Sequence, residues 1–208
     1  METVRISVAR ALVELKTLDK RIVKLISEIK ILDLSIGHKL KTNLTKEEFE
    51  KLAKSDFQSL KDLMFRRNKM KSEIVKSNAT TIVKIAGKEM TVAQAIERKA
   101  SIEIDKALTK RFRETLHMYT VEAEKLNAQA QVRLDKLLEA AVSKDSSKVK
   151  SDECEAVSKP FMERNQAVII DPLSIRLVIK ELEDQITEFE KEVDITLSES
   201  NARTEIEV

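Results

Sequence analysis

Residues 78–96, NATTIVKIAGKEMTVAQAI, interrupt a chain that otherwise reads as charged helix, and they hold one of its only two glycines. Thr81, Val83 and Ile85 alternate with Ile82 and Lys84, Ala86-Gly87-Lys88 can reverse the chain, and Met90 leads into Thr91 with Gln94 three residues on. β-Branched residues suit a pleated, half-buried surface, a glycine supplies the φ of a tight reversal, and Thr followed three residues later by Gln is a capping box. The stretch therefore predicts a small β-hairpin over 80–90 that ends at the N-cap of a helix starting at 92.

On either side the period changes from two to 3.6. Val8, Ala11, Leu12, Leu15, Leu18, Ile22, Leu25, Ile29 and Leu32 step mostly by threes and fours, which predicts helix one over 7–36 with Gly37 as its stop. Thr45 and Glu48 form a second capping box, opening helix two over 46–77 on Phe49, Leu52, Ala53, Leu60, Leu63, Met70 and Ile74. The short linker makes these two helices an antiparallel pair.

Helix three spans 92–142. At ~1.5 Å per residue it would be about 75 Å long, so it either breaks near Thr120 or projects as an arm. Residues 143–159 are polar and read as a mobile loop, while QAVII at 166–170 is ambiguous and suits an extended segment. Asp171-Pro172 opens a last helix over 172–198, where Ile175, Ile179, Leu182, Ile186, Phe189 and Val193 step 4-3-4-3-4 as a coiled-coil seam. The tail, 201–208, partly alternates and is expected to form a strand that adds to the hairpin.

The fold class that follows is mainly α: a single domain built as a long antiparallel helical bundle with coiled-coil character and one small β-hairpin inserted between helices two and three. Composition agrees, with 36% charged and 3% aromatic residues, 2 Gly, 2 Pro and no Trp, and argues against a sheet-rich enzyme with glycine-lined loops. The formal charge of +2 hides an asymmetry. Residues 61–115 carry 14 Lys/Arg against 7 Asp/Glu, whereas residues 181–208 carry 10 acids against 2 bases, so the two stretches are expected to face each other. A single cysteine, Cys154, and the lack of an apolar run of the roughly 20 residues a membrane span needs lead to the expectation of a cytoplasmic protein with no membrane role.

Three stretches resemble a family of small, helical, mostly uncharacterised bacterial proteins, some labelled septicolysin. Leu18, Asp19, Arg21 and Ile22 match its opening helix; Asn78, Thr80, Gly87, Thr91, Ala95 and Arg98 match its hairpin and following helix; Asn201, Thr204 and Glu205 match its ending. The resemblance implies a helical bundle, no established enzyme chemistry and a shared role for the Asn, Thr and Arg positions. The toxin activity of the label has no support in these residues and is not carried over.

Catalytic signatures are missing from the sequence. It has two histidines, His38 and His117, and no HExxH, GxGxxG, Walker A or GxSxG pattern; Glu114-Thr-Leu-His117 gives one copy of Glu-x-x-His, flanked by Arg111 and Arg113, whose charge disfavours a cation. No enzyme activity, cofactor or metal is expected. The basic runs at 64–71 and 110–113 lack aromatics for base stacking, so nucleic acid is the weaker partner.

The polar residues around the hairpin point instead to an anion. Asn78, Thr80 and Thr91 flank the start of helix three, whose free N–H groups attract negative charge, and Arg98, Arg66 and Arg67 fall at similar depth if helices two and three are neighbours. Asn201 and Arg203 would join them from the tail. The expected function is thus a non-enzymatic homo-oligomer sequestering a small anionic, nucleotide-like ligand, as a virus-encoded protein would hold a host signal nucleotide. The alternatives are a structural or protein-interaction scaffold without a small ligand, assembling through the Ile175–Val193 seam, and a nucleic-acid-binding protein.

Overall fold

The computed structural model describes residues 4–36, 39–42, 44–142 and 151–208. It is mainly helical. In chain order the elements are β1 (Arg5–Ser7), α1 (Val8–Glu28), β2 (Ser35–Ile36), β3 (Lys39–Leu40), α2 (Lys46–Thr80), β4 (Ile82–Ile85), β5 (Lys88–Thr91), α3 (Val92–Val142), α4 (Ser151–Asn165), α5 (Ile175–Arg203) and β6 (Glu205–Glu207). The chain divides into two compact units, Met1–Ala100 with Glu188–Val208, and Ser101–Thr187.

In the first unit, Ser7 caps α1, its side chain accepting from the Arg10 N–H at 3.3 Å. α1 stops at Glu28, eight residues before the expected end. Beyond it the Asp33 carboxylate accepts the N–H of Leu34 at 2.8 Å, the N–H of Thr42 at 3.1 Å and the Thr42 hydroxyl. An aspartate that ties up backbone donors in this way offers the chain an alternative to helix. The turn it closes carries the antiparallel pair β2–β3. These bonds, with the Thr42 hydroxyl foremost, hold the Asp33 carboxyl below its ordinary range. Gly37 and His38 lie outside the described residues.

The capping box at Thr45 forms as read, with the Thr45 N–H donating to Glu48 at 2.9 Å and the Glu48 N–H to the Thr45 hydroxyl at 3.3 Å. α2 runs three residues further than expected, so Asn78 and Thr80 belong to its last turn and not to the hairpin. Thr80 satisfies its hydroxyl within the helix by donating to Lys76 and Ser77 carbonyls at 3.1 and 3.2 Å. α1 and α2 pack through Val8, Ala11, Leu15, Leu18, Met70 and Ile74. Arg5, just before α1, lines a cleft with Ser77 and Thr80 at the end of α2, whereas Glu14, further along, pairs with Arg66 earlier in α2, and Asp19 with Arg67. The two helices therefore run in opposite directions.

The hairpin is β4–β5, with Ile82 opposite Thr91 and Ile85 opposite Lys88. Its two-residue turn places Ala86 at φ 49° and Gly87 at φ 74°, the twist-matched type I′ geometry. Val83 and Ile85 are buried. The tail does not join this sheet. β6 pairs with β1, Ile206 opposite Ile6, and Val4 and Val208 exchange two backbone hydrogen bonds of 3.1 Å. Ile6 and Ile206 are thereby both buried in the α1–α2 core, which an edge position on the hairpin would not have given the tail.

α3 is continuous across the expected break, consistent with the lack of any Gly or Pro between 92 and 142, and Thr120 returns its hydroxyl to the Leu116 carbonyl at 2.7 Å. In the second unit, residues 151–159, read as loop, form the start of α4, which accommodates Pro160; residues 143–150 lie outside the described ones. α5 starts at Ile175 and not at Pro172. Ser174 adopts φ 53°, which breaks the helix there, and the Asp171 carboxylate accepts the Ile175 N–H at 2.8 and 3.0 Å. α5 also extends past the expected end to Arg203. Ile179, Ile186, Phe189 and Val193 of the expected seam are buried within the single chain.

Candidate binding cleft

The eight residues read as an anion site do not converge. Thr91 is occupied as the N-cap of α3: its N–H donates to Gln94 at 2.8 Å and its hydroxyl accepts the Gln94 N–H at 3.1 Å. The Arg98 guanidinium lies over the Phe189 ring at 6.0 Å. Arg66 and Arg67 are engaged by Glu14 and Asp19, and Arg203 pairs with Glu199 at 3.2 Å one turn before it. Asn78 is half-buried near the end of α2, and Asn201 lies half-buried in the last turn of α5. Thr80 lines a cleft of about 500 Å³ between α2 and β6. The charged groups there are Arg5 and Lys76, each paired with an acid, and the carboxylates Glu73, Glu205 and Glu207. A net negative lining repels an anion.

The basic and acidic stretches do meet within each unit, as their sign asymmetry predicts. In the first unit Lys99 pairs with Asp194, and the Ala86 N–H at the hairpin tip donates to the Glu192 carboxylate at 2.6 Å. In the second, Arg113 pairs with Glu183. The acids around the hairpin thus neutralise the charge that would have attracted a ligand.

A different place in the first unit sets cations over an apolar floor. A groove of about 1020 Å³ runs between α1 and α2 beside β1. Ile6 and Met70 are buried at its base, and Leu63 and Val208 pack against the same core. Phe65, about two thirds exposed, stands at its edge. Arg10, Glu14, Asp62, Arg66 and Lys69 supply the charge. Glu14 is taken by Arg66, and Asp62 accepts from Gln58 at 2.8 Å. Among the described residues no acid is recorded against Arg10 or Lys69.

Sequence reasoning named Arg66 and missed Arg10 and Lys69. The available signal was their spacing. Arg10 and Glu14 are four apart on α1, and Asp62, Arg66 and Lys69 step 4-3 on α2, so each set forms a stripe beside its helix's apolar one. What the groove can do is bind: buried apolar surface for the body of a ligand, two cations for its charge.

No family model, curated protein or solved structure matches this chain. The septicolysin-like resemblance therefore stands on the residues quoted for it. Several of these have folding roles here: Leu18 and Ala95 are buried, Asp19 holds Arg67, Gly87 makes the turn, Thr91 caps α3, and the Thr204 carbonyl accepts the Val8 N–H at 2.9 Å. Among the described residues no three His, Cys, Asp or Glu group as a metal site, and no helix is long and apolar enough to cross a membrane.

Proposed function

We propose that the chain is a non-enzymatic binding protein that holds a small anion with an apolar body, of the nucleotide class, in the groove between α1 and α2. The observation that carries this reading is the pair Arg10 and Lys69, without recorded acid partners, above a floor of buried Ile6 and Met70. An acidic headgroup would meet the two cations while a ring lies along Leu63 and Phe65.

The test is thermal unfolding in the presence of mono-, di- and cyclic nucleotides. A ligand at ~100 times its Kd stabilises by about 2.7 kcal/mol, a readily measured rise in melting temperature. That rise should vanish in Lys69→Glu and survive in Arg98→Gln. A melting temperature unmoved by every nucleotide at millimolar concentration, or a rise that persists in Lys69→Glu, would end the proposal. Loss in Arg98→Gln alone would return the site to the hairpin.

A further inference from the structure

The groove between α1 and α2 is ordered by charge along its length. The Glu14–Arg66 pair sets the level of one helix against the other, and Arg5 beside Ser77 continues the same register. Two antiparallel helices each rise ~1.5 Å per residue, so one turn back along α1 from Glu14 matches about one turn on along α2 from Arg66. Arg10 therefore stands at the level of Lys69 and Met70, at the end of the groove beside Ile6. Asp62 lies one turn to the other side of Arg66, with Ser59 beyond it. The cations thus share one end, and a carboxylate and a hydroxyl stand at the other.

Asp62, Phe65 and Lys69 step 3-4, which puts them on one side of α2 with the exposed Phe65 ring between the two charges. Asp62 and Lys69 are separated by a rise of about 10 Å, the length of two helical turns. Gln58 donates to Asp62 Oδ1 at 2.8 Å, and among the described residues no donor is recorded at Oδ2. An occupant that is apolar up to its far end, such as an acyl chain, would cover Asp62 and Ser59 and strip them of water without returning a hydrogen bond. The far end of the groove calls for a ligand with donors there.

We propose that the groove takes a guanine nucleoside monophosphate, an assignment that rests on the binding site proposed above and specifies its occupant. At neutral pH a monophosphate ester carries close to two negative charges, which Arg10 and Lys69 balance. The base stacks on Phe65. An ionised carboxylate only accepts, so the base that suits Asp62 is one with two donors side by side. Guanine has them, N1–H and the N2 amino group. Adenine and cytosine set a ring nitrogen acceptor beside their amino group, and uracil has a single N–H between two carbonyls, so each of these turns a lone pair toward the carboxylate.

Isothermal titration calorimetry of the full chain with guanosine, inosine and adenosine 5′-monophosphates tests the assignment. Inosine differs from guanosine only in lacking the N2 amino group, and losing one hydrogen bond to a charged acceptor should raise Kd about tenfold. Adenosine monophosphate should bind more weakly still. Asp62→Asn exchanges one acceptor oxygen for an amide donor, which complements the donor and acceptor of adenine, so the order of adenosine and guanosine monophosphates should invert. Asp62 is exposed on α2, and the circular dichroism spectrum of the variant should match that of the wild type. Equal affinity for the three nucleotides, or a preference for guanosine monophosphate that survives Asp62→Asn, would overturn the assignment of the base and leave the anion site standing. Failure of the wild-type chain to bind any of the three would overturn the assignment and the site together.

Discussion

Ala86 carries the cost of the hairpin turn. A type I′ reversal needs a positive φ at both central residues, and an L side chain there brings Cβ too close to the following carbonyl, at about 1–2 kcal/mol. Gly87 meets the demand freely; Ala86, at φ 49°, does not, and its retention goes with the 2.6 Å hydrogen bond from its N–H to Glu192. Ala86→Gly keeps that N–H and removes the strain, so after the entropy penalty of an added glycine it should raise stability by about 0.5–1 kcal/mol. Gly87→Ala should lower it by about 1 kcal/mol, from backbone strain alone, because nothing lies within 4 Å of the added Cβ. Urea midpoints of the two variants check both signs, and a neutral Gly87→Ala would show that the turn relaxes to another geometry.

At the scale of elements, α5 illustrates what a heptad pattern can and cannot say. Its 4-3-4-3-4 spacing identified the buried side of the helix, and Ile179, Ile186, Phe189 and Val193 are indeed buried. It could not say that the covering surface belongs to the same chain, because a seam looks alike whichever helix packs on it. Ile186→Lys is accordingly expected to cost roughly 2–5 kcal/mol in stability, for lost packing and a half-desolvated ammonium, while the folded variant keeps the wild-type mass. A folded variant of lower mass would move the seam to a subunit interface.

The same distinction runs through the other elements. The caps at Thr45 and Thr91 and the turn at Gly87 were legible because each is complete within four residues. The end of α1 was not, since it depends on Asp33 reaching Thr42, nine residues away. The candidate cleft lies in between: the stripes of Arg10 and Lys69 are visible in the spacing, but only the packing of α1 on α2 places them above one floor. For the hairpin, sequence could list the cations and threonines but not their carboxylate and carbonyl partners, and those partners decide whether charge remains for a ligand.

At the scale of the molecule, what holds the first unit closed is the β1–β6 ribbon, which joins residues about two hundred positions apart. Contacts so distant in sequence close a long loop at an entropic cost growing as (3/2)RT ln n, so they persist only where burial repays it. The ribbon's candidates for that role differ in kind. Arg5 and Glu207 form an ion pair at 2.8 Å with side chains 72% and 56% exposed, and such pairs contribute about 0–1 kcal/mol. Ile206 is buried against Ile6, Met70 and Ile74 in the α1–α2 core. Ile206→Ala should therefore destabilise by about 2–5 kcal/mol and Glu207→Gln by less than about 1 kcal/mol, read as shifts in the denaturant midpoint. Added salt should narrow the small effect and leave the large one, because screening acts on exposed charge and not on buried methylene groups. Equal losses in the two variants would mean that charge, and not apolar burial, fastens the tail to the start of α1.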